Sequence, residues 1–283
     1  MRIGAREFDF SRQVAVMAVV NRTPDSFYDK GATFALDRAV EACLRAAQQG
    51  ADWVDIGGVP FGRGPVVTAE EETLRVVPVV EAIAASSDVV ISVDTTNADV
   101  ARRAIAAGAA VINDTSGLWD ERMLGVVADS DATLVITHSV GAPRSEVARP
   151  TYSDVVAEVV AFLRERVDRA VAAGIPLERL IVDPGHDLNK NTVDTLELTR
   201  RLDEVVAIGL PTLAAVSNKD FVGESIDRVQ GERLAGSLAA AVVCIMKGAR
   251  IVRMHDVPAS VDAVRMTEAI LGMRPPAYTK HNV

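Results

Sequence analysis

VVISVDTTNADVARRAIAAGAAVINDTSG, residues 89–117, holds one complete structural unit and the start of the next. A β-branched apolar run (89–93) ends in Asp94. Asn97 then stands where a helix cap belongs, ADVARRAIAA (98–107) follows, and Gly108 sits at the position after the last helical residue, where glycine is favoured. A second apolar run, AVIN (110–113), begins at once. Runs so continuously apolar are expected of strands buried on both faces, as in a parallel sheet covered by helices.

The unit recurs along the chain. Apolar runs of the same kind lie at VAVMAVVN (14–21), ADWVDIGG (51–58), TLVITHS (133–139), LIVDPG (180–185), PTLAAVSN (211–218) and IVRMHDV (251–257), which with the two above makes eight. Thr68 and Glu71 form a capping-box pattern before EETLRVVPVVEAIAA, and Ser153 opens a helix that Gly174 closes. Eight strands, each followed by a helix, is the count of a TIM (β/α)8 barrel of the α/β class. The segment IGAREFDFSRQ is expected to form a short N-terminal hairpin plugging the barrel floor, and residues 273–283 a C-terminal tail. No linker or low-complexity tract interrupts the series, so residues 1–283 read as a single domain.

Composition narrows the class. Half the chain is hydrophobic (49%) but only 4% is aromatic, so Ala, Val, Leu and Ile must fill the core. A net charge of −9 argues against nucleic acid or an anionic membrane as the partner, while leaving room for a small anion held by a local Arg/His cluster. Cys43 and Cys244 lie in apolar stretches without redox or metal spacing and read as buried, reduced thiols. Neither end reads as a signal peptide and the longest apolar runs are too short to span a bilayer; a cytoplasmic protein is the expectation.

Almost every expected strand ends in a polar residue: Asn21, Asp55, Asp94, Asn113, His138, Asp183, Ser217 with Lys219, and Arg253 with His255. In a TIM barrel these ends converge on one cavity, which capping alone would not explain. Asp94 and Asp183 are acceptors, Asn113 is donor and acceptor, and Lys219 is a cation with three donors. That set suits a flat, nitrogen-rich heterocycle. Arg253 and His255 alternate across one strand residue and face the same way. With Asn21 they suit a phosphate or diphosphate, alone or with Mg2+. No spacing suggests a tight transition-metal site, and His186 and His281 read as loop and tail residues without a role.

These residues sit in a known pattern. VVNRTPDSF (19–27) is similar to the N-V-T-P-D-S-F signature of dihydropteroate synthases. SVDT, NDTSG, DPG, SNKDFVG and RMHDV resemble the later motifs of that family, in the same order. The resemblance covers roughly residues 14–271 and implies a TIM barrel that joins a dihydropterin-methyl diphosphate to p-aminobenzoate and releases diphosphate. It implies that Asp94, Asn113, Asp183 and Lys219 hold the pterin. Arg253 and His255 would hold the diphosphate, and Asn21 its Mg2+. Departure of diphosphate before capture of a pterin-methylene cation asks for anion stabilisation and exclusion of water rather than a strong base. The family also implies a homodimer through the last helices. ERLAGSLAAAVVCIMKGA (232–249), apolar over most of its circumference, fits that role.

The departures cluster. Where the family has G-G-E-S-T-R-P-G this chain has GGVPFGRGP (57–65): Val59 replaces the acid, Pro60 and Phe61 the hydroxyl pair, and Arg63 stands one position late. Asn218 replaces Arg in S-R-K. DPGHDLNK places Asp187 for Gly and Leu188 for Phe, and Asp220 is expected to occupy a helix N-terminus that favours an anion. The pterin and diphosphate positions survive while those for the arylamine are altered, and losing one charge-assisted contact there would cost about 1.5–3 kcal/mol. The sequence therefore reads as a divergent pterin-binding paralogue with weak or absent synthase activity. The alternative is an ordinary active synthase. A regulatory pterin-binding protein, a methyltetrahydrofolate methyltransferase and a Schiff-base aldolase using Lys219 are further readings. The methyltransferase has no need of the Arg253/His255 clamp, and the aldolase lacks neighbours arranged to activate its lysine.

Overall fold

A computed structural model describes residues 1–21, 32–59, 64–145 and 151–281, with residues 32–35 described by backbone alone. A two-strand hairpin, β1 (Arg2–Ile3) and β2 (Arg6–Glu7), leads into β3 (Ala15–Asn21) and α1 (Ala32–Gln48). Then come β4 (Trp53–Gly57), α2 (Ala69–Ala84), β5 (Val90–Asp94), α3 (Ala98–Ala107), β6 (Val111–Asp114), α4 (Arg122–Ala128), β7 (Thr133–Thr137) and α5 (Val155–Ala172). The second half continues through β8 (Leu180–Asp183), α6 (Thr192–Arg200), α7 (Leu202–Val206), β9 (Leu213–Ala214), α8 (Asp220–Ile226), α9 (Leu234–Met246), β10 (Ile251–Met254) and α10 (Val257–Ile270). β3 to β10 form one parallel sheet in the order β8-β7-β6-β5-β4-β3-β10-β9. A parallel bridge between Val182 and Thr212 returns β9 to β8 and closes the barrel.

Period-two alternation sorts the strand residues into two shells. Val16, Val54, Ile91, Ile112, Leu134 and Val252 face outward and pack under the helices. Met17, Trp53, Val90, Val111, Val135, Ile181, Leu213 and Ile251 face inward and form a dry floor with Ile3 and Phe8. The expected hairpin is present and plugs that floor. Phe8 meets Trp53 edge-on at 5.6 Å, and Arg6 donates to the Asp52 carbonyl at 2.9 Å and its carboxylate at 3.0 Å. Gly4 turns the hairpin at φ +56°, where a Cβ would press on that of Ala110 at 3.0 Å.

The capping expectations hold with one shift. Thr68 accepts from Glu71 N, Asn97 from Asp99 N, and Gly108 adopts a left-handed φ of 117°. α5, however, is capped by Asp154, which accepts from Val156 N and Ala157 N, while Ser153 binds Glu158 instead. Cys43 and Cys244 are both free and buried.

Candidate functional site

Two or four residues beyond each floor residue, on the same inward face, the side chains turn polar: Asp55 after Trp53, Asp94 after Val90, Asn113 after Val111, Asp183 after Ile181, Arg253 after Ile251. A hydrogen-bonded network replaces the hydrocarbon there. Asp55 is wholly buried and accepts from Ser92 Oγ at 2.6 Å, Asn113 Nδ2 at 3.1 Å and Arg253 Nε at 2.6 Å. Arg253 reaches on to Asp94 through Nη2 at 3.2 Å, and Thr115 donates to the other Asp94 oxygen at 3.2 Å. Burial and the nearby Asp55 charge push the Asp94 carboxyl up to about 6, against the pull of Arg253. Burial likewise pushes Asp183 up to about 6, although Gly185 N donates to it at 2.7 Å. Asn113 Oδ1 and Thr137 Oγ1 are buried beside these acids without a hydrogen-bond partner among the described residues. Thr137 is the register neighbour of Asp183, and Asn113 that of Asp94.

The remaining candidates ring this network. Lys219 precedes α8 and lies close enough to Asp187, Asp183 and Asp94 for their charges to oppose the lowering that burial imposes on its ammonium. His255 lies one residue past β10, its Nδ1 3.0 Å from Ser217 Oγ. Asn21 ends β3 opposite Gly57, whose missing Cβ would stand 3.2 Å from Asn21 Oδ1. Among the described residues no cluster of His, Cys, Asp or Glu could hold a metal. An amide oxygen such as that of Asn21 suits Mg2+, which keeps several waters and takes most other ligands from phosphate oxygens.

The sequence profile of the family described as "Pterin binding enzyme" matches residues 17–255. The chain is 45% identical over 270 residues to "Inactive dihydropteroate synthase 2" of Mycobacterium leprae (strain TN), covering 93% of each chain. It is 40% identical over 260 residues to the dihydropteroate synthase of Escherichia coli (strain K12), covering 92% of each. Among solved structures, Xanthomonas albilineans dihydropteroate synthase with 4-aminobenzoic acid superposes with a TM-score of 0.87 at 41% identity, over 93% of this chain and 95% of that one. This chain belongs to the dihydropteroate synthase family.

The departures from the family motifs fall on three loops, those after β4, β8 and β9. Val59 is half-buried and lines a cavity of about 610 Å³ with Asp94, Thr115, Trp119 and Arg144. Pro60–Arg63, and with them Phe61 and Arg63, lie outside the described residues, as does the Arg22–Phe27 part of the first motif. Asn218 takes a left-handed φ of 60°, which asparagine tolerates, and its Oδ1 accepts from Gly231 N at 3.2 Å. Asp220 opens α8 as expected, but its side chain does not turn back onto the helix end. Its side chain is 84% exposed and pairs with Arg233 at 2.8 Å, whereas the carboxylate that accepts from the start of α8 belongs to Asp187, 3.1 Å from Phe221 N.

Two residues outside the sequence reading matter here. Lys190 is buried, and its Nζ stands 2.9 Å from His138 Nδ1 and donates to the carbonyls of Gly185 and Leu188 at 2.9 and 3.0 Å. It thereby ties down the loop that carries Asp183 and Asp187, while burial lowers it to about 7 and His138 to about 3. His186, read as a plain loop residue, is wholly buried with neither ring nitrogen hydrogen-bonded to the described residues. The matching final Lys of the D-P-G motif was the available signal for the first. Nothing local marks the second.

Proposed function

We propose that this chain binds a pterin, retains the diphosphate subsite, and makes dihydropteroate weakly or not at all. The observation that carries the reading is the inward ring of half-buried Asp94 and buried Asn113 and Asp183, where Asn113 Oδ1 and the adjacent Thr137 Oγ1 have no partner among the described residues. A folded protein that keeps such a ring dry loses about 1–3 kcal/mol per orphaned group, which a heterocycle with ring N–H, amino and carbonyl groups would restore. Lys219 would face the carbonyl edge. Arg253 spends Nε and Nη2 on Asp55 and Asp94, so its orientation is set and Nη1 is left for a diphosphate oxygen beside His255. Asn21 would hold Mg2+, which when bound neutralises charge on the leaving diphosphate. The name of the Mycobacterium leprae relative supports weak or absent turnover, as do Val59, Asn218 and Asp187 in the loops that depart from the family.

Calorimetry tests the first half. Asp183→Ala is expected to weaken pterin binding by about 1.5–3 kcal/mol, the value for losing a charged acceptor. Wild-type affinity is expected to fall as pH drops through about 6, because protonation removes the acceptor. Unchanged affinity in a variant of unchanged thermal stability rules the assignment out. A steady-state assay at saturating dihydropterin-methyl diphosphate tests the second half. Turnover is expected at least tenfold below an enzyme with the intact G-G-E-S-T-R-P-G loop, a factor that about 1.4 kcal/mol of lost transition-state contact supplies. Equal turnover and equal aminobenzoate KM would make this an ordinary synthase.

The chain is further proposed to act as a cytoplasmic homodimer. Among the described residues no helix is long and apolar enough to cross a membrane. Val243 and Met246 on α9 and Met266 and Ile270 on α10 are large apolar side chains exposed on helices that pack against each other, which fits a covered face. Light scattering at micromolar concentration should return twice the mass of one chain; the mass of a single chain would exclude the dimer.

A further inference from the structure

We propose that Asp187 is a specificity-determining residue, a resident carboxylate near Lys219 that turns the second-ligand side of the site against anionic partners and toward neutral ones. The proposal rests on the pterin-binding reading above. Asp187 sits in a loop that enters the left-handed region at Gly185, Asp187 and Asn189, with φ of 70°, 62° and 54°. That backbone suits glycine, and an aspartate there is held at some cost. Its orientation is fixed from two sides: its N–H donates to Thr195 Oγ1 at 3.3 Å, and its Oδ2 accepts from Phe221 N at 3.1 Å.

The carboxylate therefore points at the turn that carries Asn218, Lys219 and Asp220. Two acids meet there, and they differ. Asp220 turns to solvent and its charge is matched by Arg233. Asp187 is more enclosed and joins no ion pair among the described residues, and its carboxylate, held on Phe221 N two residues from Lys219, opposes the lowering that burial imposes on that ammonium. The Asp187 charge thereby offsets part of the positive field of Lys219 from within the chain. An arylamine with a carboxylate would enter beside a fixed like charge in a partly desolvated place, where repulsion is poorly screened. One with a carboxamide would not.

The test uses the full chain saturated with 6-hydroxymethyl-dihydropterin, diphosphate and Mg2+, titrated with 4-aminobenzoate and with 4-aminobenzamide. Wild type is expected to bind the amide at least tenfold more tightly than the acid. Asp187→Asn keeps the contact to Phe221 and removes the charge. It should shrink that preference at least tenfold by strengthening acid binding, with amide binding unchanged. Asp187→Gly, which the left-handed backbone accommodates, should do the same. A preference unchanged in both variants, or no binding of either arylamine by any of the three proteins, overturns the proposal while pterin binding stands. Failure of the pterin itself to bind overturns the underlying reading instead.

Discussion

Asp55→Ala is expected to lower folding stability by about 3–5 kcal/mol, the cost of breaking a buried ion pair from one side. The wild-type carboxylate is wholly enclosed and accepts from three side chains, of which Arg253 is the charged one. Alanine leaves the guanidinium with Asp94 alone, and strands Ser92 Oγ and Asn113 Nδ2 in the barrel interior. Each stranded donor adds a desolvation penalty that no rearrangement of a closed barrel relieves. Urea unfolding should show a lower midpoint with an unchanged slope, because the surface exposed on unfolding is the same. A loss below about 1 kcal/mol would mean that Arg253 relaxes toward the cavity mouth and that Asp55 supports the site less than its contacts indicate.

The barrel and its polar upper layer were legible because both depend on short-range regularities. Alternation along each strand fixes which residues face inward, so Asp94, Asn113, Asp183 and Arg253 share a parity with the floor before any tertiary contact is known. The hairpin expected over IGAREFDFSRQ is present as well. What sequence did not show is how long side chains spend their reach. Arg253 crosses from β10 past β3 to acids on β4 and β5, a choice made by three-dimensional proximity. Asp220 opens α8 as expected, yet the carboxylate that accepts from Phe221 N is that of Asp187, since a left-handed residue throws its side chain where an extended or helical one would not. The α5 cap moved from Ser153 to Asp154 for a smaller reason: both can cap, and Glu158 engages the serine first.

The dihydropteroate synthase motif DPGHDLNK thus holds three separate devices within eight residues. Asp183 belongs to the ring of candidate pterin contacts, Asp187 accepts from Phe221 N at the start of α8, and Lys190 folds back to hold the loop between them. Substitutions in this loop can change what the site accepts without touching the strands that build it, and Asp187 and Leu188 are two of this chain's departures from the family motifs.

His186 in the same loop leads to an expected gain. His186→Leu should stabilise the protein by about 1–3 kcal/mol at pH 8, because an imidazole whose two nitrogens have no hydrogen-bond partner among the described residues gives way to an apolar group of similar size. The gain should grow in acid. Burial, with Lys190 and Lys219 adding to it, lowers the folded-state pKa of His186 to about 3 from an ordinary 6.5. Between those values the unfolded chain binds the proton and the folded chain does not, so stability is lost as pH falls below about 6.5. At pH 5 that loss is about 2 kcal/mol for this one residue, and leucine removes it. The leucine variant should therefore exceed wild type by about 3–5 kcal/mol at pH 5. His138, also lowered to about 3, remains in both proteins and cancels in the comparison. The measurement is urea unfolding of the two proteins at pH 8 and pH 5. A variant less stable than wild type at pH 8, or a difference that does not widen at pH 5, would show that the buried ring is partnered in solution and that its place beside Phe221 serves the site.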